Sequence, residues 1–169
     1  MNLFALNSPS ITGEVLCPGD KSISQRAVII GSLINQDMTI EGFLNGEDPI
    51  STINALNAIG SSIEINNTSV TIKQRETAFI SPKEDVDLGN SGTGMRLMMG
   101  LISSLGINVR LVGDKSLSTR PMLRVSEPLN SMGANILCRD GMPPVQITKG
   151  NIKNNFSYDM PIASAQVKS

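Results

Sequence analysis

Lys21, Ser22 and Arg26 place an ammonium, a hydroxyl and a guanidinium at the start of an apolar-periodic run, a combination suited to gripping oxyanions. Pro18 and Gly19 end whatever precedes them, and apolar residues then recur at Ile23, Ala27, Ile30 and Ile34, the spacing of one helix face. A helix therefore starts near Ser22. The first backbone N–H groups of a helix lack internal partners and point along the axis, where the macrodipole favours negative charge. Ser22 and Arg26 are four apart and share a face, so hydroxyl, guanidinium and free amides gather on one side as a seat for phosphate or carboxylate. A plainer reading makes Ser22 an N-cap and the cations solvated surface groups. A P-loop does not fit, because its glycines would have to stand where Val15 and Asp20 are.

Two later stretches repeat this design: Leu88-Gly89-Asn90-Ser91-Gly92-Thr93-Gly94-Met95-Arg96, and Met160-Pro161-Ile162-Ala163-Ser164-Ala165-Gln166. A third, Gly113-Asp114-Lys115-Ser116-Leu117-Ser118-Thr119-Arg120, nearly copies residues 19–26, but Pro121 follows it. Proline keeps the residue before it out of the α region, so Arg120 is expected extended, at a strand end or turn. Its planar fork suits bidentate grip of a carboxylate or phosphate; a loop arginine in solvent is the plainer alternative.

The elements that must position these groups come in a recurring order. After the first helix, residues 38–43 alternate as a strand, a helix covers Ile50 to Ile59 with Gly60 as its stop, and 62–65 with 69–72 form a hairpin around Asn66-Asn67. The order then returns: a helix from Thr93 with Met95, Met98, Ile102 and Leu105 on one side, a strand over 107–112, a helix over 125–132 stopped by Gly133, and a hairpin around Asp140-Gly141. Gly60 and Gly133 are 73 positions apart, Asp20 and Asn90 are 70, and Asn90 and Ala163 are 73. Such a period marks a tandem duplication of one α/β (α+β) unit, whose helix openings could converge. The divisions expected are 1–18, a strand segment awaiting a partner, 19–88, 89–160, and a third unit begun over 161–169. The run from Ser164 to Ser169 reads as opening turns of a helix with no stop signal, so a longer protein is expected.

Composition narrows the chemistry. The 169 residues carry a net charge of −1, one Tyr, four Phe and no Trp, which speaks against a nucleic-acid partner. There is no histidine, so no Ser-His or Cys-His pair exists and metals lose their commonest ligand. Acid–base work falls to Lys, Asp, Glu or Tyr. Cys17 and Cys138 lack ligand or redox spacing and suggest a reducing compartment. No apolar run is long enough to cross a bilayer, so a cytoplasmic protein without a membrane partner is expected.

On these residues the chain resembles the enolpyruvyl transferases, most closely the EPSP synthases. The resemblance runs through Pro18 to Arg26, Leu88 to Arg96, Thr119-Arg120-Pro121-Met122 and Ser164-Ala165-Gln166, in the family's order and spacing. It implies an inside-out α/β barrel of repeated helix-and-sheet units, here truncated, in a protein of two such domains that is monomeric when complete. It implies transfer of the carboxyvinyl group of phosphoenolpyruvate to the 5-hydroxyl of shikimate 3-phosphate, in the shikimate pathway to chorismate and the aromatic amino acids, with no metal or organic cofactor.

Carried over by residue, the resemblance makes Lys21 catalytic and in touch with both substrates. Ser22, Arg26, Ser164 and Gln166 would hold shikimate 3-phosphate; Asn90, Gly92, Arg120 and Gln166 would border phosphoenolpyruvate. Ala165 departs from the Ser-Ser-Gln of many members, which removes one phosphate hydroxyl, and Leu97 stands where many have proline. Glyphosate, in this family, occupies the phosphoenolpyruvate site against Gly92. The catalytic Asp and Glu are expected beyond residue 169, so the chain alone should be inactive. The sister UDP-N-acetylglucosamine enolpyruvyl transferases open with Lys-Asn and use a loop cysteine, which neither Cys17 nor Cys138 matches. A non-catalytic phosphate-binding module of the same repeats, or an α/β domain without a ligand, are the alternatives from other classes.

Overall fold

The computed structural model describes Leu3, Phe4, Asn7, Ser10, residues 12–160 and residues 164–168, with the backbone alone for Ala165 and Gln166. Helix α1 spans Lys21–Ile34, because Asp20 accepts a hydrogen bond from the Ile23 N–H at 2.8 Å and so caps the first turn. It ends at Asn35, whose φ of 56° is the left-handed conformation that stops a helix. Strand β1 (Met38–Ile40), helix α2 (Glu47–Ala58) and the hairpin β2 (Ser62–Asn66) and β3 (Ser69–Lys73) follow. After β4 (Val86–Asp87) the same order returns as α3 (Gly92–Leu105), β5 (Val109–Val112), a short 3-10 turn at Leu117–Thr119, α4 (Leu123–Ser131), β6 (Asn135–Arg139) and β7 (Met142–Thr148); α5 covers Ala165–Lys168. The chain is thus mixed α/β, and the described residues close no barrel. Among the described residues before Gly19 there is neither helix nor strand.

The two sheets share an order. One runs β1-β3-β2, all antiparallel; the other runs β5-β7-β6 in the same sense, with β4 added parallel to β5. The 73-residue offset reappears in a side-chain clasp. Asn57 takes both backbone polar groups of Ile63 at 2.9 Å, and Asn130 does the same to Ile136 at 2.9 Å, tying each second helix to the strand after it. Gly60 (φ 107°) and Gly133 (φ 102°) turn the chain out of those helices in a region β-carbon-bearing residues avoid. Ala163, the third landmark, lies outside the described residues.

The face of α1 differs from the one its spacing suggests. Ile23, Ile30 and Ile34 are 70%, 55% and 48% exposed, while Ser24, Gln25, Val28, Ile29, Gly31 and Ser32 are buried. The reason is proximity: a Cβ at Gly31 would stand 2.5 Å from Ile72 Cδ1, so α1 lies close on β3 through glycine, with Val28 and Ile29 as the large apolar side chains of its packed side. Helix α3 behaves as its spacing predicts, with Met95, Met98 and Ile102 fully buried. Each such side chain contributes roughly 1.5–3 kcal/mol of transfer free energy, which makes α3 the axis on which the rest is packed. Helix ends differ by a few residues from the sequence reading: α2 starts at Glu47, with Pro49 in the first turn where its missing N–H costs nothing.

Candidate active site

The opening of α1 carries Lys21, whose ammonium meets the Asp48 carboxylate at 2.9 Å with the lysine half-exposed. Asp48 stands in the first turn of α2, so the pair joins two helix starts. Gly19 lets this opening sit low, because a Cβ there would be 2.1 Å from the Gly42 carbonyl oxygen. Ser22 and Arg26 lie on the neighbouring stripe of the helix. The Arg26 Nη1 donates to the Ser22 carbonyl at 3.2 Å, and the side chain borders an apolar groove lined by Ile30, Leu33, Leu97 and Leu101.

The opening of α3 is built differently. Ser91 caps it, accepting from the Gly94 N–H at 3.1 Å, and is fully buried. Arg120 is extended (φ −92°, ψ 133°), as the following proline requires. Its guanidinium donates to the Asn90 carbonyl at 3.2 Å, to Asn90 Oδ1, and to Ser116 Oγ at 3.2 Å. Asn90 Nδ2 in turn donates to Asp114 at 2.7 Å. The Leu117 N–H, foremost, holds the Asp114 carboxyl below its ordinary range, aided by Asn90, the Ser116 N–H and the charge of Arg120 against the opposing effect of burial. A Cβ at Gly92 would come within 3.0 Å of Arg120 Nη1 and 3.1 Å of Arg96 Nη1, so two guanidiniums flank the first residue of α3.

Arg96 is 8% exposed, donates to the carbonyls of Gly92 (3.2 Å) and Pro121 (2.9 Å), and has a buried Nε with no partner among the described residues. Burial, then the charges of Arg124 and Arg120, lower its pKa from the ordinary value. Among the described residues no carboxylate pairs directly with these arginines, Asp114 acting on Arg120 only from beyond Asn90, and with a helix N-terminus beside them the region suits an anion.

The two openings meet. The fully buried amide of Gln25, one turn after Lys21 on the same face, places its Nε2 2.8 Å from Ser91 Oγ, 3.0 Å from Thr52 Oγ1 and 3.3 Å from the Asp48 carbonyl oxygen. Lys21 and the Asn90–Gly92 turn therefore belong to one neighbourhood. Ser164 borders a cavity of about 330 Å³ with Pro121, Arg124, Glu127 and Tyr158, whose lining includes none of Lys21, Ser22, Arg26, Asn90, Gly92 and Arg120. The side chain of Gln166 lies outside the described residues.

The sequence model of the family described as EPSP synthase (3-phosphoshikimate 1-carboxyvinyltransferase) matches residues 7–169. The chain belongs to this family. A 3-phosphoshikimate 1-carboxyvinyltransferase of Legionella pneumophila (strain Corby) is 44% identical over 171 residues, covering 100% of this chain and 40% of that protein. One from Oceanobacillus iheyensis is 45% identical over 177 residues, with 100% and 40% covered. Among solved structures, EPSP synthase from Acinetobacter baumannii superposes with a TM-score of 0.84 at 42% identity, covering 92% of this chain and 36% of that one. The chain thus spans about 40% of the length of the curated relatives it matches.

Membership favours the EPSP synthase reading over the sister transferase. Cys138 sits inside β6, where burial raises its thiol pKa, and not in a loop. The sequence reading did not single out Asp48, Gln25 or Arg96 as site residues. For Arg96 a signal existed: four residues after Gly92 it returns to the same helix face. For Asp48 and Gln25 none did, since their partners lie 27 and 66 positions away. Among the described residues no helix is long and apolar enough to cross a membrane, and no group of three or more His, Cys, Asp or Glu is placed to hold a metal.

Proposed function

We propose that these residues form the N-terminal part of a 3-phosphoshikimate 1-carboxyvinyltransferase, organised as two helix-and-sheet units over 19–88 and 89–160 with a third begun at 161. The complete enzyme joins the 5-hydroxyl oxygen of shikimate 3-phosphate to the carboxyvinyl carbon of phosphoenolpyruvate, and the carbon–oxygen bond to phosphate breaks. The observation that carries the reading is the junction of the α1 and α3 openings at Gln25 and Ser91, with Arg120 docked beside Gly92.

Two polyanions repel one another, at a cost of about 1 kcal/mol per charge pair at 4 Å even in water and more in a dry cleft. Clustered cations and helix amides offset that repulsion and hold the reactants in line. Lys21, on a flexible stem beside both openings, contacts both substrates and carries protons. Ser22, Arg26, Ser164 and Gln166 hold shikimate 3-phosphate, and Asn90, the Gly92 amide, Arg120 and Gln166 hold phosphoenolpyruvate. Lysine and carboxylates suffice for the proton transfers of an addition–elimination. The enzyme works as a cytoplasmic monomer without a cofactor.

The test compares phosphate release from phosphoenolpyruvate and shikimate 3-phosphate by the 169-residue chain and by a full-length protein containing it. Turnover by the full-length protein alone is the expected result. Turnover by the short chain would refute the assignment of essential carboxylates to residues beyond 169, and silence from both would refute the activity.

A further inference from the structure

We infer that Gln25 is a positioning residue for this transfer: its buried amide fixes the α1 opening against the α3 opening and so sets the separation of the two anionic substrates. This rests on the transferase reading above. The amide, carried on α1, touches α2 and the cap of α3 at once. Through the Asp48 carbonyl at 3.3 Å it meets the residue whose carboxylate holds Lys21, and through Ser91 Oγ at 2.8 Å it meets the hydroxyl that caps α3. Thr52 Oγ1, 3.0 Å away, donates back to the same Asp48 carbonyl at 3.1 Å and closes the cluster.

Two further observations separate direction from mere packing. A Cβ at Gly94 would lie 2.6 Å from Ser91 Oγ, 2.8 Å from Thr52 Oγ1 and 3.0 Å from Gln25 Nε2, so the α3 backbone is pressed onto the amide with no slack to absorb a shift. The Gln25 Oε1 is buried and, among the described residues, has no hydrogen-bond partner, a cost that a methionine of similar length would not incur. Two hydrogens on Nε2 face three acceptors, so what the amide contributes is orientation of α2 and α3 about α1 rather than surplus stability. A group that fixes the distance between two reactants acts on the encounter of the second substrate and on turnover, and leaves the first substrate's own contacts in place.

The experiment uses the full-length enzyme and its Gln25→Met, Gln25→Glu and Ser91→Ala variants. Calorimetry gives the affinity for shikimate 3-phosphate alone, and steady-state kinetics gives kcat and the KM for phosphoenolpyruvate. In Gln25→Met the first affinity should stay within about twofold of the parent, while kcat/KM for phosphoenolpyruvate falls at least about tenfold. Adding Ser91→Ala should cost less than its effect in the parent, because both changes break one link. Gln25→Glu keeps the shape without the donors, gives the same split, and serves where the methionine variant does not fold. The proposal is overturned if either variant has parental kcat/KM, if both affinities fall together in step with a lowered Tm, or if the two changes add fully. A parent enzyme that does not turn over overturns the transferase reading itself; an active parent with an equally active Gln25→Met removes only the positioning role.

Discussion

The openings of α1 and α3 stand at equivalent places in two units of the same element order, yet they hold their cations in opposite ways. At α1 the cation is a half-exposed lysine resting on a carboxylate, which an incoming anion can exchange for itself. At α3 the cations are arginines held by backbone carbonyls and an asparagine, one of them buried, and among the described residues none is in a direct ion pair. An exposed ion pair of the first kind contributes little to stability, about 0–1 kcal/mol, and moves cheaply. A guanidinium pinned by several acceptors loses little entropy when it grips a ligand. Two openings of the same element order thus present a movable ammonium at one corner and pinned guanidiniums at the other.

That contrast can be broken most forcefully at Lys21. Replacing it with methionine in the full-length enzyme should lower kcat by about 10²–10⁴, the range of a lost proton-transfer group, with the Tm nearly unchanged. A large fall in Tm with modest loss of kcat would reverse the roles assigned to the two openings. Next in size is Arg120→Lys, which keeps the charge and loses the planar fork. Charged hydrogen bonds contribute about 1.5–3 kcal/mol, so kcat/KM for phosphoenolpyruvate should drop roughly 10–100-fold, while the affinity for shikimate 3-phosphate changes little. An effect confined to shikimate 3-phosphate would misplace the rigid corner.

A smaller effect is expected at Gly92→Ala. The new methyl meets two guanidinium nitrogens at 3.0 and 3.1 Å, so it narrows the site without blocking it. The KM for phosphoenolpyruvate should rise a few-fold, and inhibition by the larger glyphosate should weaken roughly tenfold more than that. Equal sensitivity of variant and parent to glyphosate would show that the inhibitor does not lie against Gly92.

The gentlest test is electrostatic. Asp114 has a folded-state pKa below the ordinary 3.8, so its contribution to stability is present above that value and lost as pH falls through the lower folded value. Thermal melting of the chain between pH 7 and pH 2 should therefore show a steeper acid decline for the parent than for Asp114→Asn. Parallel profiles would mean that the Leu117 N–H and Asn90 do not favour the ionised carboxylate.

Much of the fold was legible because it is local. Asp140-Gly141 turns a hairpin wherever it stands, since φ values of 50° and 77° suit those residues. Pro121 forces Arg120 to be extended whatever surrounds it. The apolar run of α3 marked its own buried face, because a helix at the centre of a core is lined by the largest side chains available. The run of α1 misled, since Ile23 and Ile30 lie exposed and its packed side joins Val28 and Ile29 to serine, glutamine and glycine.

Of the site, residue types nominated the cations, since a lysine at a helix start and an arginine before proline could each grip an anion or stand in solvent, and only the family resemblance gave them roles. Their arrangement was not written in any local pattern. Gln25 meets Ser91 across 66 positions, and Asp48 meets Lys21 across 27. Periodicity and spacing report what neighbours in the chain impose on one another, whereas those meetings arise from how closely α1, α2 and α3 approach once Gly94 and the buried amide leave room. The amino-acid types determined which groups could hold an anion; only the packed backbone decided that two of the openings serve the same place.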